Sequence, residues 1–456
     1  MSTRDAVSNV YPHLGRLPLS LSDPSTLVVG LDGATFDIID PMVREGKLPN
    51  IQRLLNVGRR ETLISSNPPL SPIAWTTITT GVNPGKHGIF DFAHRARESY
   101  EFVPYTARDK AVAPIWDILG SQGKKVCVVN VPLTYPAAKV NGVMISGFPS
   151  PPHSDDSTYP SSLADDLRRE LGDPSFLKPG SLVETGEEGK LLEELAKVTR
   201  NQVRVLSYLL RREKYDFVMT VFDGIDAASH CLWKYIDPNH PKFNAKLAEE
   251  GRKVLEATYM LSDEAVGDVL RMFDTEPNLV LLSDHGNGPV YYGVYINNWL
   301  VERKYMVLKR GLKTRAKFFA FRHGLNMYNF FRIANKLGLL PGLEAAYGKR
   351  SLSLEIVKRI SLSFMDVDWS KTRVYSFGNY GQLYVNMKGR EPDGIVVPGT
   401  EYDALVEEVS QELANLRDPQ RQNVMFDEII TNKELYSGLY SIDGLPTSPP
   451  PLNQGP

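Results

Sequence analysis

The chain has 456 residues, 23 % charged and 42 % hydrophobic, the make-up of a globular protein with room for one α/β domain plus an inserted lobe, or several smaller domains. Its formal net charge of −2 excludes a general electrostatic drive toward nucleic acid or anionic membrane. No apolar run reaches the ~18 residues of a membrane span; Arg4, Asp5, His13, Arg16 and Asp23 leave no room for a signal-peptide apolar region, and Cys127 and Cys231 cannot build a disulfide framework, so a cytoplasmic protein is expected.

Residues 1–24 are polar and turn-rich and read as a loosely held arm. Order should begin at Thr26–Leu31, an almost wholly apolar run that suits a buried parallel strand. Similar runs recur at 125–130, 217–222 and 279–283, separated by helix-like stretches near 41–57, 114–122, 190–213 and 243–274. This alternation predicts an α/β fold: a doubly wound, mainly parallel central sheet with helices on both faces. The core is expected over 25–300, with a long Pro/Ser/Asp/Gly-rich excursion at 148–189. Residues 301–372 mix Lys and Arg with Phe, Tyr and Leu and read as a basic helical insertion, either a cap over an anionic ligand or a solvated helix pair. Strand-like runs at 374–377 and 382–386 suggest a return to the core over 373–440, before a proline-rich tail at 441–456 that cannot build a core element.

Three chemical features fall at predicted strand ends, where open α/β sheets place their sites. Asp32-Gly33 follows the first strand and can be a tight turn or a metal-binding acid. Asp226 and His230 stand four apart after the run at 217–222, on one helix face and about 6 Å apart, suited to one cation or to a plain ion pair. Asp284-His285-Gly286 follows the run at 279–283, and a carboxylate beside an imidazole suits Zn²⁺ or Mn²⁺ better than Ca²⁺. A fourth feature is Ser71-Pro72, read as N-cap and first helical residue of a helix reaching Thr80-Gly81. Ser71 either caps or presents its oxygen at the positive end of the helix, where an alkoxide and a phosphate are stabilised.

Taken in order, these features resemble the alkaline phosphatase superfamily, most of all its type I phosphodiesterase/nucleotide pyrophosphatase branch and related phosphohydrolase/phosphomutase proteins. The segment Leu27–Phe92 carries the strongest likeness, including Leu48-Pro49-Asn50-Ile51 and Thr80-Gly81-Val82-Asn83-Pro84-Gly85-Lys86-His87-Gly88-Ile89. The resemblance implies a metal-dependent phosphoester hydrolase with two divalent metal ions, zinc or alternatively manganese, and a small phosphoester substrate. By that carry-over Asp32, Asp284 and His285 hold one metal together with Ser71, the nucleophile that forms a phosphoseryl intermediate. Asp226 and His230 hold the second metal, which the family completes with a further histidine. Only His323 follows His285, so that site is expected to be incomplete, with the C-terminal strands missing and a silent protein or a phosphomutase as alternatives. Diesterases of this branch use Thr as nucleophile and an Asn where Asp91-Phe92 stands here, whereas sulfatases need Pro and Arg where Ile73 and Trp75 stand.

Overall fold

A computed structural model describes residues 25–151, 154–172, 188–323, 362–378, 380–419 and 422–440. His13 and His153, the arm at 1–24, most of the 173–189 part of the excursion and the tail at 441–456 lie outside the described residues. The described chain divides into two compact units: residues up to 94, 104–293 and from 432 onward form the first, and residues 95–103 and 294–431 the second.

The first unit is built on a six-stranded sheet. Its strands are β1 (Thr26–Leu31), β2 (Val126–Val131), β3 (Gly142–Ser146), β4 (Thr158–Tyr159), β5 (Phe217–Phe222) and β6 (Asn278–Leu282), in the spatial order β4-β3-β2-β5-β1-β6. All neighbours run parallel except β4, which pairs antiparallel with β3. The sequence pattern anticipated β1, β2, β5 and β6. It missed β3 and β4, so part of the segment read as an excursion returns to the sheet at Thr158–Tyr159. Every residue of β2 and β5 is buried, which is why these strands read as continuous apolar runs without polar alternation.

Alternate side chains of the strands serve two separate cores. Leu27, Val29 and Leu31 of β1, Cys127 and Val129 of β2 and Val218 and Phe222 of β5 pack on one face. There they meet Ile39, Ile51, Leu206, Ile225, Leu255 and Tyr259, carried by the helices Phe36–Arg44, Pro49–Val57, Glu188–Arg212, Gly224–Ile236 and Ala245–Leu270. On the other face, Val126, Val128, Phe217, Met219 and Val221 pack with Trp75 and Trp116 of the helices Ser71–Thr80 and Ile115–Ser121. Helices therefore cover both faces, the doubly wound arrangement that the sequence predicts. Cys127 and Cys231 are buried, unbridged thiols.

Helix Ser71–Thr80 is buried on most sides although it contains four threonines. Its interior tolerates them because Thr76, Thr79 and Thr80 return their hydroxyl protons to Pro72, Trp75 and Thr76 carbonyls at 2.6, 2.7 and 2.6 Å. Gly81, at φ 68°, ends the helix in a left-handed cap.

The second unit contains the antiparallel pair Val374–Ser376 and Leu383–Val385, with Tyr375 opposite Tyr384. These strands form a two-stranded sheet of their own, and residues 294–431 cluster within the second unit. Tyr100 stacks on Trp369 at 3.6 Å and Phe102 on Phe377 at 3.3 Å, which explains why 95–103 belongs with this unit. Within the basic insertion, helix Leu312–Arg322 is described: Lys317 is tied to Asp366 at 3.0 Å, and Lys313 and Arg315 are exposed. Among the described residues, no helix is long and apolar enough to cross a membrane.

Candidate active site

Parallel register brings the strand-end residues together. Leu31 pairs with Phe222, and Gly30 with Leu282. Continuing that register by two residues sets Asp284 level with Asp32. Asp32 N–H also donates to Phe222 O at 2.9 Å, fixing the chain as it leaves β1. Asp32 and Asp284 are buried, and Asp32 Oδ2 accepts the indole N–H of the fully buried Trp75 at 2.8 Å.

Ser71 does not act as a helix cap. The helix begins at Ser71 itself, with Leu70 in the capping position and no side-chain capping bond. The hydroxyl turns instead to the strand ends: Oγ donates to Asp32 Oδ1 at 3.3 Å and lies 3.1 Å from His285 Nε2. Thr76 is committed within the helix, and Thr77 Oγ1 lies 3.0 Å from His87 Nε2.

His285 Nδ1 sits 2.8 Å from Gly286 O, and a carbonyl can only accept, so Nδ1 carries the proton in the neutral ring. The Nε2 lone pair then faces Ser71 Oγ, Asp32 Oδ1 at 3.6 Å and Asp284 Oδ2 at 3.4 Å. Asp284 Oδ1 accepts Gly33 N–H at 3.3 Å, whereas its buried Oδ2 has no hydrogen-bond partner among the described residues. Ser65 Oγ donates to Asp284 O at 2.7 Å, anchoring the turn that carries Asp284 and His285.

The helix Gly224–Ile236 supplies the remaining pair. His230 Nε2 lies 3.4 Å from Asp226 Oδ2, with the imidazole largely exposed and the carboxylate mostly buried. Donor atoms of Asp32, Asp226 and His285 all lie within 4.8 Å of one another, so Asp226 reaches the same centre as the residues after β1 and β6. His323 belongs to the second unit, where its Nδ1 lies 2.8 Å from Phe319 O.

The electrostatics are those of crowded acids. Burial, with the charges of Asp284 and Asp226 added, raises Asp32 well above the usual carboxylate range. Burial also lifts Asp284 to about 6, against the opposing pull of His285. Asp223, directly after β5, is pushed to about 6 by burial and by Asp226. For Asp226, burial acts upward but is outweighed by the hydrogen bond and charge of His230, the charge of His285 and the Asn287 amide, which hold it below the usual range. Its hydrogen bond to Asp226 in turn raises His230.

A cation fits this arrangement. Two buried carboxylates and a bare imidazole nitrogen converge, one of the carboxylate oxygens lacks any donor, and oxygen with imidazole donors suits a zinc-like ion.

Trp75, Asn287 and Asp223 were not singled out from the sequence. Trp75 stands one helical turn beyond Ser71, which places both on one face of the helix. Asn287 immediately follows the Asp-His-Gly turn, and Asp223 ends a strand, the same rule that marked Asp32.

The fold and the strand-end acids define a doubly wound α/β protein with an Asp/His cluster that could hold a metal ion at the carboxyl edge of its sheet. The chain belongs to the type I phosphodiesterase/nucleotide pyrophosphatase family, whose description matches residues 26–336. Curated proteins gave no match. Among solved structures, the phosphonoacetate hydrolase of Sinorhizobium meliloti 1021 aligns at 16 % identity and TM-score 0.40, over 61 % of this chain and 62 % of that one. A 2-O glycosaminoglycan sulfatase aligns at 11 % identity and TM-score 0.38, over 60 % and 61 %. This chain thus spans less than two thirds of the structures it matches.

Proposed function

We propose that the chain is a metal-dependent phosphoester hydrolase with Ser71 as its nucleophile. The observation that carries this reading is the position of Ser71 Oγ, 3.3 Å from Asp32 Oδ1 and 3.1 Å from His285 Nε2, at the N-terminus of a ten-residue helix. A serine outside such surroundings is a weak nucleophile at neutral pH. Asp32, Asp284 and His285 would hold one divalent ion, zinc or manganese, and Asp226 with His230 a second. Bound there, such ions lower the pKa of a coordinated hydroxyl and neutralise charge on a phosphoryl group.

The chain's own residues supply the rest. Trp75 fixes one oxygen of Asp32, leaving the other to orient the Ser71 hydroxyl. Attack forms the Ser71 Oγ–phosphorus bond and breaks the bond to the leaving alcohol, with the serine proton ending on the departing oxygen. Water then cleaves the phosphoseryl ester and restores the hydroxyl.

The test is hydrolysis of p-nitrophenyl phosphate and bis(p-nitrophenyl) phosphate with zinc or manganese present, by the wild-type chain and by Ser71→Ala. Metal-dependent turnover of either ester that disappears in Ser71→Ala is expected. Turnover surviving in Ser71→Ala, or none of either ester by metal-loaded protein, overturns the proposal.

A second reading, a one-metal binding protein without turnover, is favoured by one observation: His230 stands outside the group of donor atoms gathered within 4.8 Å. Metal content separates the two, since two ions per chain favour the hydrolase and one favours the silent protein.

A further inference from the structure

Beyond the ligands themselves, one polar side chain spans the two halves of the site. Asn287 follows the turn after β6, yet its amide reaches across the end of β1 to the helix that carries Asp226. Its Nδ2 donates to Gly33 O at 2.9 Å and to Asp226 Oδ1 at 3.3 Å. Both partners are acceptors, so only the NH₂ end of the amide can face them, and both of its protons are used. The approach is also close. A Cβ on Gly33 would stand 2.3 Å from Asn287 Nδ2 and 2.9 Å from Asp226 Cβ, and Gly33 has φ +71°. Glycine at 33 thus serves the amide as well as the turn.

We infer that Asn287 is a positioning residue, whose amide locks Asp226 against the Asp32-Gly33 turn so that its free carboxylate oxygen faces the cation it would hold with His230. This rests on the metal reading of the site. With Oδ1 held by the amide, Asp226 keeps Oδ2 toward His230, 3.4 Å away. A lysine or arginine could tie the same groups together, but its charge would neutralise the carboxylates and compete with the cation. A neutral amide orients the carboxylate and leaves its charge available. Because Asn287, Gly33 and Asp226 follow β6, β1 and β5 in turn, the contact fixes the spacing of three adjacent strand ends.

The test is zinc titration of the full chain against a chromophoric chelator, for wild type, Asp226→Asn, Asn287→Leu and Asn287→Ala. Leucine keeps the volume of asparagine without its donors, and alanine guards against a leucine that packs badly. Asp226→Asn identifies the binding step that depends on Asp226. Both Asn287 variants should weaken that same step by roughly 10–100-fold, the usual effect of removing a group that orients a metal ligand. The unfolding midpoint of the metal-free protein should stay in place. A residue that merely braces the fold would lower that midpoint and leave zinc affinity within about two-fold of wild type, and that result overturns the inference. Zinc binding by wild type with indifferent Asn287 variants removes only the role of Asn287. Absence of zinc binding by wild type removes the metal reading and this inference with it.

Discussion

Trp75 and Ser71 hold Asp32 by its two different oxygens: the indole N–H donates to Asp32 Oδ2 at 2.8 Å, while Ser71 on the same helix donates to Asp32 Oδ1 at 3.3 Å. The two oxygens of one carboxylate are thereby divided between the indole and the Ser71 hydroxyl. Trp75→Phe keeps most of the buried ring and removes the donor. Zinc affinity should fall by roughly 10–100-fold, measured by chelator competition. Unchanged affinity would mean that the indole only fills space.

Ser71→Ala should lower phosphoester turnover on the order of 10³-fold or more, because no second hydroxyl takes over from a lost nucleophile. Zinc binding should persist, since the two carboxylates and the imidazole proposed to hold that metal are unchanged. Thr76→Ala should leave kcat within a few-fold, because the Thr76 hydroxyl is spent on Pro72 O. Steady-state kinetics of the two variants side by side test the assignment, and a reversed outcome would move the nucleophile to another turn of the helix.

Gly30→Ala introduces a Cβ only 2.2 Å from Trp75 Cη2 and 2.9 Å from Val221 Cγ2. Overpacking of this kind costs about 1–3 kcal/mol. The damage should also reach metal binding, because the displaced ring is the one that orients Asp32. Combining Gly30→Ala with Trp75→Phe removes the clashing atom, so the two losses of stability should be less than additive. Denaturant unfolding of the single and double variants reads this directly.

His87 gives the protein a distinct acid-sensitive element. Its Nδ1 accepts Ile89 N–H at 3.1 Å and its Nε2 faces Thr77 Oγ1 at 3.0 Å, a neutral ring held in one tautomer. Burial, assisted by the charge of Lys110, lowers its pKa to about 3 from 6.5. The unfolded chain therefore binds a proton that the folded chain refuses, and stability present at pH 7 is lost as pH falls from about 6.5 toward 3. Unfolding free energies of metal-free wild type and His87→Gln should diverge across that window. The wild type should lose more on acidification, by on the order of a few kcal/mol. Parallel curves would contradict the assignment.

The strands of the sheet were legible where both faces are buried. Phe217–Phe222 is buried at every position, and Thr220 is its one polar residue. Gly142–Ser146 is less uniform, starts on a glycine and was not recognised, because strand and turn signals overlap there. Asp32, Asp226, Asp284 and His285 could be listed from spacing, because chemistry concentrates at strand ends. The orientation of Ser71 could not, since a serine before Pro72 carries the signature of a cap whichever way its hydroxyl turns. Trp75 and Asn287 act on residues 43 and 61 positions away in the chain, and nothing in their local sequence records that.

The place of β1 between β5 and β6 has a consequence for biosynthesis. Asp32 and Ser71 leave the ribosome ahead of β6 and the Asp284-His285 turn, which follow more than two hundred residues later. Until β6 docks, one flank of β1 lacks its partner and Asp32 lacks the companions that make up a site. Such long-range parallel pairing is slow to form and leaves strand edges open meanwhile. A nascent chain should therefore acquire high-affinity zinc binding abruptly, once residues 278–285 have cleared the exit tunnel. Stalled chains ending before this point should remain without it, however well their first helices have formed.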